Sequence, residues 1–304
     1  MTLFEQLAAL QTEAINPHTV EIDLAETRDI VEMLWNEDLT VADAVGMVLG
    51  EISQAVDMVV AAFQAGGRLI YVGAGTSGRL GVVDASEMPP TYGTPPEMVI
   101  GLIAGGAGAV FQSVEGAEDS SEGAVADLSR VNLTPNDVVC GITASGRTPY
   151  VVGAVSYANS VGCKTILVST NPLETVQRAC PPADIFICPV VGAEPITGST
   201  RMKSGTAQKM VLNMITTASM VRIGKTYGNV MVDLQLANEK LRERAKRIVI
   251  TLGNVDYQGA THLLSEANGH VKTALIMAAR SCSRKEAEER LASAGGFVRK
   301  AVEE

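Results

Sequence analysis

Two glutamates close to glycine-rich turns are the residues of this sequence best suited to acid–base chemistry. Glu87 ends a helical stretch that begins in such a turn, and Glu118 lies just before another predicted helix. The negative end of a helix dipole disfavours an ionised carboxylate, whereas the positive end favours one. Two carboxylates held in opposite protonation states can act together as a general acid and a general base. The alternative that both are ordinary solvated residues stays open at this point.

The turn that precedes the first of these helices has the pattern of an anion-binding loop. Residues 68–72 predict a buried strand, a loop with three glycines follows, and a helix over 77–87 ends at two prolines, which cannot continue a helix. This order directs free backbone N–H groups and the positive end of a helix dipole at an anion. We therefore predict a sugar-phosphate site with substrate contacts from Gly75, Thr76 and Ser77.

The same glycines, Gly73, Gly75 and Gly78, also match the G-x-G-x-x-G pattern of dinucleotide sites. Such a site needs an acidic residue at the end of the second strand to hold the ribose. The next predicted strand, 98–103, has Glu97 at its start instead. Two hydroxyl groups in the loop also suit a compact phosphate or a sugar. A sugar phosphate is therefore preferred to a nucleotide, and a purely structural tight turn is the remaining alternative.

A second turn after a predicted strand repeats the Ser-Gly-Arg sequence of the first. Here Ser145, Gly146 and Arg147 are followed by Thr148. Together they supply hydroxyl groups, an open backbone and a bidentate cation, so we predict that they contact the same ligand. The alternative is that Ser145 only caps the next helix. Lys203, in a third Gly/Ser/Thr-rich loop ahead of a helix, is a further predicted anion contact.

Alternating strand-like and helical stretches indicate the fold that must position these turns. The predicted strands are 68–72, 98–103, 137–142, 164–169 and 184–188, and the helices between them are 77–87, 120–130, 149–161 and 172–180. This alternation implies right-handed crossovers and a parallel sheet with both faces covered. We predict an α/β fold, a three-layer α/β/α sandwich with a five-stranded parallel sheet. Ligands of such sheets bind beyond the carboxyl ends of the strands.

Helical patterns flank this core on both sides. Apolar spacing predicts a helix over 21–35, and a capping box at Thr40 predicts the start of a long second helix that ends at two glycines. Near the C-terminus, three short amphipathic stretches predict a small helical bundle. We therefore divide the chain into a larger domain, residues 1–254, which includes the N-terminal helices, and a C-terminal three-helix bundle, residues 255–304.

Composition excludes several classes of function. The chain has 304 residues, 46% of them hydrophobic, and a net charge of −10, which argues against binding to nucleic acid or to anionic membranes. No apolar run approaches the length of a membrane span. The five cysteines lack metal-site spacing and suit buried, reduced thiols in the cytoplasm, while three histidines are too few for a metal centre. We expect no metal and no nucleotide cofactor.

The sequence contains several long and unusual motifs, among them GAGTSGRLGVVDASEMPP, VEGAED, ASGRTPYV and TGSTRMKSGTAQ. They resemble those of the N-acetylmuramic acid 6-phosphate etherase family of sugar-isomerase (SIS) domain proteins, and the resemblance runs from about residue 15 to the C-terminus. Met88 departs from it, because cysteine is expected there. The resemblance implies an SIS-type fold and a homodimeric, cytoplasmic, cofactor-free lyase. It also implies that Glu87, in the DASE motif, is the acid, and that Glu118, in VEGAED, is the base.

The implied reaction cleaves the D-lactyl ether of the sugar phosphate. In the open-chain sugar, C2 is next to the C1 aldehyde, so a base can remove its proton, lactate can leave from C3 once protonated, and water can add afterwards. The nearest rival is an aldose–ketose isomerase, which needs a base at C2 but no acid at the C3 substituent. A second rival is a sugar-phosphate-sensing module, although no basic helix-turn-helix precedes residue 68.

Overall fold

The computed structural model describes residues 10–234, 236 and 239–303 of the chain. Of these, the residues up to Ser86 and from Glu97 to Thr216 form one compact unit. Glu87–Pro96 and the residues from Thr217 onward form a second. The sequence-based division at residue 254 stays a prediction.

A five-stranded parallel sheet forms the centre of the first unit. Its strands are β1 (Leu69–Gly73), β2 (Val99–Ile103), β3 (Val138–Ile142), β4 (Lys164–Val168) and β5 (Ile185–Ile187), in the order β2-β1-β3-β4-β5. Every neighbouring pair is parallel. The five predicted strands and the predicted α/β class are confirmed. The strand order reverses between β1 and β3, which is where doubly wound sheets bind ligands.

Seven of the described helices lie before, between and after these strands in the chain. They are α1 (Thr27–Gly46), α2 (Leu49–Gln64), α3 (Gly75–Tyr92), α4 (Ser121–Arg130), α5 (Pro149–Val161), α6 (Leu173–Ala179) and α7 (Lys203–Arg222). On one face, Ile70, Val72 and Val139 of the sheet pack with Leu128 of α4 and Tyr150 of α5. All five side chains are at most 1% exposed, so the sheet and these helices form one dry layer.

The N-terminal helices begin and end at other residues than the sequence predicted. The predicted helix over 21–35 and the predicted start at Thr40 are both wrong, because α1 runs without a break through Thr40 to Gly46. The Thr40 hydroxyl donates to the carbonyl of Glu37, 2.8 Å away, as hydroxyls inside helices do. The capping-box pattern was therefore misleading, whereas the glycine that ends α2 was predicted correctly: Gly66 has φ +76°.

Helix α3 also continues further than predicted. Pro89 and Pro90 lie inside it, and it ends at Tyr92. Proline fixes φ near the helical value and removes one N–H donor, so a pair of prolines close to a C-terminus weakens the last turns without stopping them. Glu87 consequently lies inside the helix, five residues before its end, and not at its C-terminus as the sequence suggested.

The second unit contains a short hairpin and five further helices among the described residues. They are β6 (Thr226–Tyr227), β7 (Val230–Met231), α8 (Glu239–Gly253), α9 (Tyr257–Glu266), α10 (Val271–Arg280), α11 (Arg284–Ser293) and α12 (Val298–Glu303). The hairpin is antiparallel, its turn contains Gly228 at φ +58°, and it was not predicted from the sequence. Asp233 follows it and lies 2.7 Å from Lys225 and 3.0 Å from Lys272.

Within the part of the chain that the structure describes, no single helix has both the length and the apolar character of a membrane span. Helices α1 and α2 reach the required length and apolar composition only when they are taken together, and they are bent by 60° relative to each other.

Candidate active site

The turn between β1 and α3 is shorter than the sequence suggested, because Ala74 alone separates the two elements. A Cβ on Gly73 would lie 2.7 Å from the backbone nitrogen of Gly78, and one on Gly78 would lie 2.6 Å from the carbonyl oxygen of Gly73. Only glycine fits at both positions. Thr76 and Ser77 therefore belong to the first turn of α3, whose N–H groups have no acceptor inside the helix.

The two hydroxyl groups of that turn have different surroundings. Thr76 is half-buried, and its methyl group lies near Gly205 of α7. Ser77 is buried, and its Oγ donates to Oε1 of Gln208 over 2.9 Å. The Nε2 of Gln208 is buried without a hydrogen-bond partner among the described residues. The predicted substrate contacts of Gly75, Thr76 and Ser77 stay predictions.

A cavity of about 100 Å³ lies beside this turn, past the ends of β1 and β2. It is lined by Ala74, Gly75, Arg79, Ala104, Ala109 and residues 113–118. Glu118 is exposed in a short 3₁₀ helix, Ala117–Asp119, that Gly116 enters at φ +73°. The Nε of Arg79 donates to the carbonyl of Val110 over 2.9 Å and so fixes the opposite wall.

Glu118 lies before a helix, as predicted. Helix α4 begins at Ser121, and the Oγ of Ser120 caps it by accepting from the N–H of Gly123. The capping residue of α4 is therefore Ser120. The structure thus brings Glu118 and the first turn of α3 to one cavity at the carboxyl edge of the sheet.

The second Ser-Gly-Arg turn follows β3, the neighbour of β1, so the two turns leave the same edge of the sheet. Thr143 organises it: its Oγ1 lies 2.9 Å from that of Thr148 and accepts from the N–H of Gly146. The idea that Ser145 caps α5 is wrong, because Thr148 is the residue at that position and the Ser145 hydroxyl accepts from the N–H of Arg147 instead. Substrate contacts from this turn remain a prediction.

Lys203, the third predicted anion contact, is buried and paired inside the protein. Its Nζ lies 2.6 Å from Oε2 of Glu37, a residue of α1 that the sequence analysis did not single out. Asn16 and His18 also contact the Glu37 carboxylate, each over 2.7 Å. Burial opposes ionisation of Glu37, but the hydrogen bonds from Lys203, His18 and Asn16 outweigh it and lower its pKa to about 2. A role for Lys203 in substrate binding stays a prediction.

A second buried carboxylate holds the start of α7. Glu194 is fully buried, and its two oxygens accept from the backbone N–H groups of Lys203 and Ser204 over 2.8 and 2.9 Å. A carboxylate in this position satisfies orphan donors and interacts favourably with the helix dipole. Glu194 therefore fixes the loop ahead of α7, which contains the TGSTR sequence, against the first unit.

A polar cluster inside the first unit also escaped the sequence analysis. Asp84 of α3 is 4% exposed and accepts from the hydroxyl of Tyr71 in β1, the amide of Asn213 and the hydroxyl of Thr216, over 3.0, 2.6 and 3.2 Å. Burial raises the pKa of Asp84 in spite of these three donors. The cluster joins α3 to the sheet and to α7 and so fixes the rotation of α3 about its axis.

Glu87 follows Asp84 on the same helix, three residues later. Its side chain is exposed, and it belongs to the second compact unit. Its role as an acid stays a prediction. Among the described residues, no three His, Cys, Asp or Glu side chains are grouped so that they could hold a metal ion.

A family model and a solved structure each resemble part of this chain. Residues 51–159 match the model described as the glucokinase regulatory protein N-terminal SIS domain. A phosphoheptose isomerase from Francisella tularensis superposes with a TM-score of 0.51 at 16% sequence identity, over 65% of this chain and 100% of that one. At this identity the likeness shows the fold alone, and it confirms the predicted SIS-type architecture.

Curated relatives match nearly the whole chain. A protein of Salinibacter ruber is 55% identical over 303 residues, 99% of this chain and 96% of its own. Proteins of Geobacillus thermodenitrificans and Colwellia psychrerythraea are 53% and 50% identical, over 98% and 99% of this chain and 100% and 97% of their own. All three carry the name N-acetylmuramic acid 6-phosphate etherase.

Proposed function

Because this chain belongs to the N-acetylmuramic acid 6-phosphate etherase family, we propose that it cleaves the D-lactyl ether of N-acetylmuramic acid 6-phosphate to N-acetylglucosamine 6-phosphate and D-lactate. The observation that supports this proposal best is the position of Glu118, which lines a cavity beside the first turn of α3. A base and an anion-binding helix start thus share one cavity.

The proposed reaction is an elimination followed by the addition of water. Glu118 removes the C2 proton of the open-chain sugar, which the adjacent aldehyde acidifies. The C3–oxygen bond then breaks, Glu87 protonates the departing lactate, and a C2–C3 double bond remains. Water returns a hydroxyl group to C3 and a proton to C2, so the sum is hydrolysis of the ether. Each positioned acid or base contributes roughly 10²–10⁴-fold to such a rate.

The phosphate of the substrate binds, in this proposal, at the start of α3. The N–H groups of the first helical turn and the hydroxyl of Thr76 are the donors, and the positive end of the helix dipole adds to their effect. Ser145 and Thr148, after the neighbouring strand, contribute hydroxyl groups to the sugar. Arg79 closes one wall of the cavity through its bond to Val110.

The proposal also includes a cytoplasmic homodimer that acts in amino-sugar recycling without a cofactor. All five cysteines are free thiols, which suits a reducing compartment. An acid and a base suffice for the elimination.

The decisive assay supplies N-acetylmuramic acid 6-phosphate and measures D-lactate, together with incorporation of deuterium at C2 from heavy water. Wild type releases lactate. Glu87→Gln stops the release but retains exchange at C2, because proton removal precedes departure of lactate. Glu118→Gln abolishes both. Glu122→Gln, an exposed glutamate on α4, serves as the control and keeps wild-type rates.

Three outcomes contradict the proposal. Unchanged C2 exchange in Glu118→Gln removes that residue as the base. Intact lactate release in Glu87→Gln removes the other as the acid. Formation of a ketose phosphate without any lactate replaces the ether cleavage with an isomerisation.

A further inference from the structure

Arg79 is the only basic residue among the described residues that line the cavity beside the start of α3. The Nε of Arg79 donates to the carbonyl of Val110 over 2.9 Å, which leaves the N–H groups of its two terminal nitrogens. Among the described residues, these groups have no ion-pair partner. Arg79 is half-buried, so its guanidinium is held in place by one hydrogen bond and keeps free donors at the cavity wall.

The position of Arg79 on α3 separates it from the start of that helix. It lies four residues after Gly75, which places both residues on the same side of the helix, about 6 Å apart along its axis. Both line the cavity. The first turn of α3 and the Arg79 guanidinium are therefore two distinct sets of donors along one side of a helix, and a ligand with two anionic groups can use both.

The substrate of the proposed function has two such groups. One is the phosphate on C6, and the other is the carboxylate of the lactyl group on C3. With the phosphate at the start of α3 and C2 at Glu118, the lactyl group on the neighbouring carbon enters the same cavity. The carboxylates of Glu115 and Glu118 line this cavity and repel a third negative charge there. The lactyl carboxylate therefore needs a cation, and Arg79 supplies one.

We propose that Arg79 binds the lactyl carboxylate through its terminal nitrogens and so selects substrates in which the C3 ether carries an acid group. This inference rests on the proposed function and names the residue that would recognise the leaving group. A guanidinium can bind a carboxylate through two parallel hydrogen bonds, an arrangement that the single ammonium group of lysine does not reproduce.

The rest of the lining suits a short, branched substituent. The cavity has a volume of about 100 Å³, whereas sites that enclose a whole small ligand measure roughly 300–1,000 Å³. It thus fits one substituent of the sugar better than the entire molecule. Beside the charged groups, its wall contains the small apolar side chains of Ala104, Ala109 and Ala117, which offer an apolar contact to the methyl group of the lactyl ether.

Two substrates that differ only in the carboxylate test this proposal. One is N-acetylmuramic acid 6-phosphate, and the other is N-acetylglucosamine 6-phosphate with an ethyl group on O3, in which hydrogen replaces the carboxylate. Formation of free N-acetylglucosamine 6-phosphate measures the cleavage of either ether. Arg79→Met should lower kcat/KM for the lactyl ether by on the order of 100-fold, and for the ethyl ether by less than about 5-fold.

The loss for the lactyl ether should be in KM, because the carboxylate carries the same charge in the ground state and in the transition state. Arg79→Lys keeps the positive charge without the paired hydrogen bonds, so its loss should be smaller than that of Arg79→Met. Any effect of losing the bond to Val110 acts on both ethers and cancels in their ratio. Arg130→Met, at an exposed arginine of α4 that pairs with Asp127, is the control and should keep wild-type values for both.

Three results would overturn the proposal. The first is an equal loss for both ethers in Arg79→Met, which would leave Arg79 only its contact with Val110. The second is a loss in kcat with KM unchanged. The third needs no variant: wild type that cleaves the two ethers with the same kcat/KM does not recognise the carboxylate. Wild type that releases no lactate from N-acetylmuramic acid 6-phosphate contradicts the proposed function itself, so the two failures are distinguishable.

Discussion

Replacing Glu37 by glutamine should destabilise the first unit by about 3 kcal/mol at pH 7. The folded protein lowers the pKa of this carboxyl from 4.5 to about 2. One pKa unit corresponds to about 1.36 kcal/mol, so the ionised carboxylate contributes about 3 kcal/mol that a neutral amide lacks. The interaction is buried, with Lys203 and Glu37 side chains 4% and 8% exposed, so water screens it little.

The pH dependence follows from the direction of the shift. A depressed pKa in the folded state gives stability that is present above the unfolded value and is lost as the pH falls through the folded value. The difference between wild type and Glu37→Gln should therefore be full at pH 7 and shrink to less than half at about pH 3. At that pH a large share of the unfolded chains, but few folded ones, bind the proton.

Urea unfolding followed by circular dichroism at both pH values measures this difference. Glu288→Gln, in an exposed ion pair with Arg284, is the control and should change the free energy of unfolding by less than about 0.5 kcal/mol. Lys203→Met combined with Glu37→Gln should cost less than the sum of the two single changes, because the pair is removed together. A loss below about 1 kcal/mol at pH 7, or a difference that does not vary with pH, would refute the reasoning.

Two further predictions concern α3 and the second Ser-Gly-Arg turn. Burial raises the pKa of Asp84 above 3.8, so the folded state keeps the proton to a higher pH than the unfolded state. The stability of wild type relative to Asp84→Asn should therefore fall as the pH rises from about 4. Urea titrations of both proteins across that range measure this, and a relative stability of wild type that rises with pH would contradict it. Gly146→Ala should lower the free energy of unfolding more than Gly66→Ala does. Both glycines have φ +76°, so the two changes share a backbone cost of about 1–2 kcal/mol. A Cβ on Gly146 would also meet Val176 at 2.8 Å, whereas a Cβ on Gly66 meets nothing within 4 Å. Equal losses of unfolding free energy in the two variants would contradict the steric account.

The sequence predicted those parts of the fold that depend on local pattern. Apolar runs bounded by glycine and polar residues located all five strands, because a parallel strand buried on both faces is apolar throughout. The prolines of α3 misled the analysis, since local propensity gives way to packing when a helix is already anchored at its other end. Thr40 misled it for a related reason: a capping pattern has the same residues whether a helix begins there or passes through.

Residues of the candidate site could be predicted only where they belong to a short sequence motif. The glycine turn and Glu118 were found from their own neighbourhood in the sequence. Glu37 and Lys203 lie 166 residues apart, and Ser77 and Gln208 lie 131 apart, so each partner looks like an ordinary polar residue until the fold brings the two together. Buried polar residues carry no periodicity of their own, so the pairing of Lys203 with Glu37 had no signal in the sequence.

The Glu194 carboxylate has a consequence for selectivity. Helices α3 and α7 both start in the first unit, and each offers a positive pole to an incoming dianion. At α7 the Glu194 carboxylate already binds the N–H groups of Lys203 and Ser204 and so occupies that positive end of the helix. In the proposed function, the phosphate of the substrate therefore binds at the start of α3 and not at that of α7.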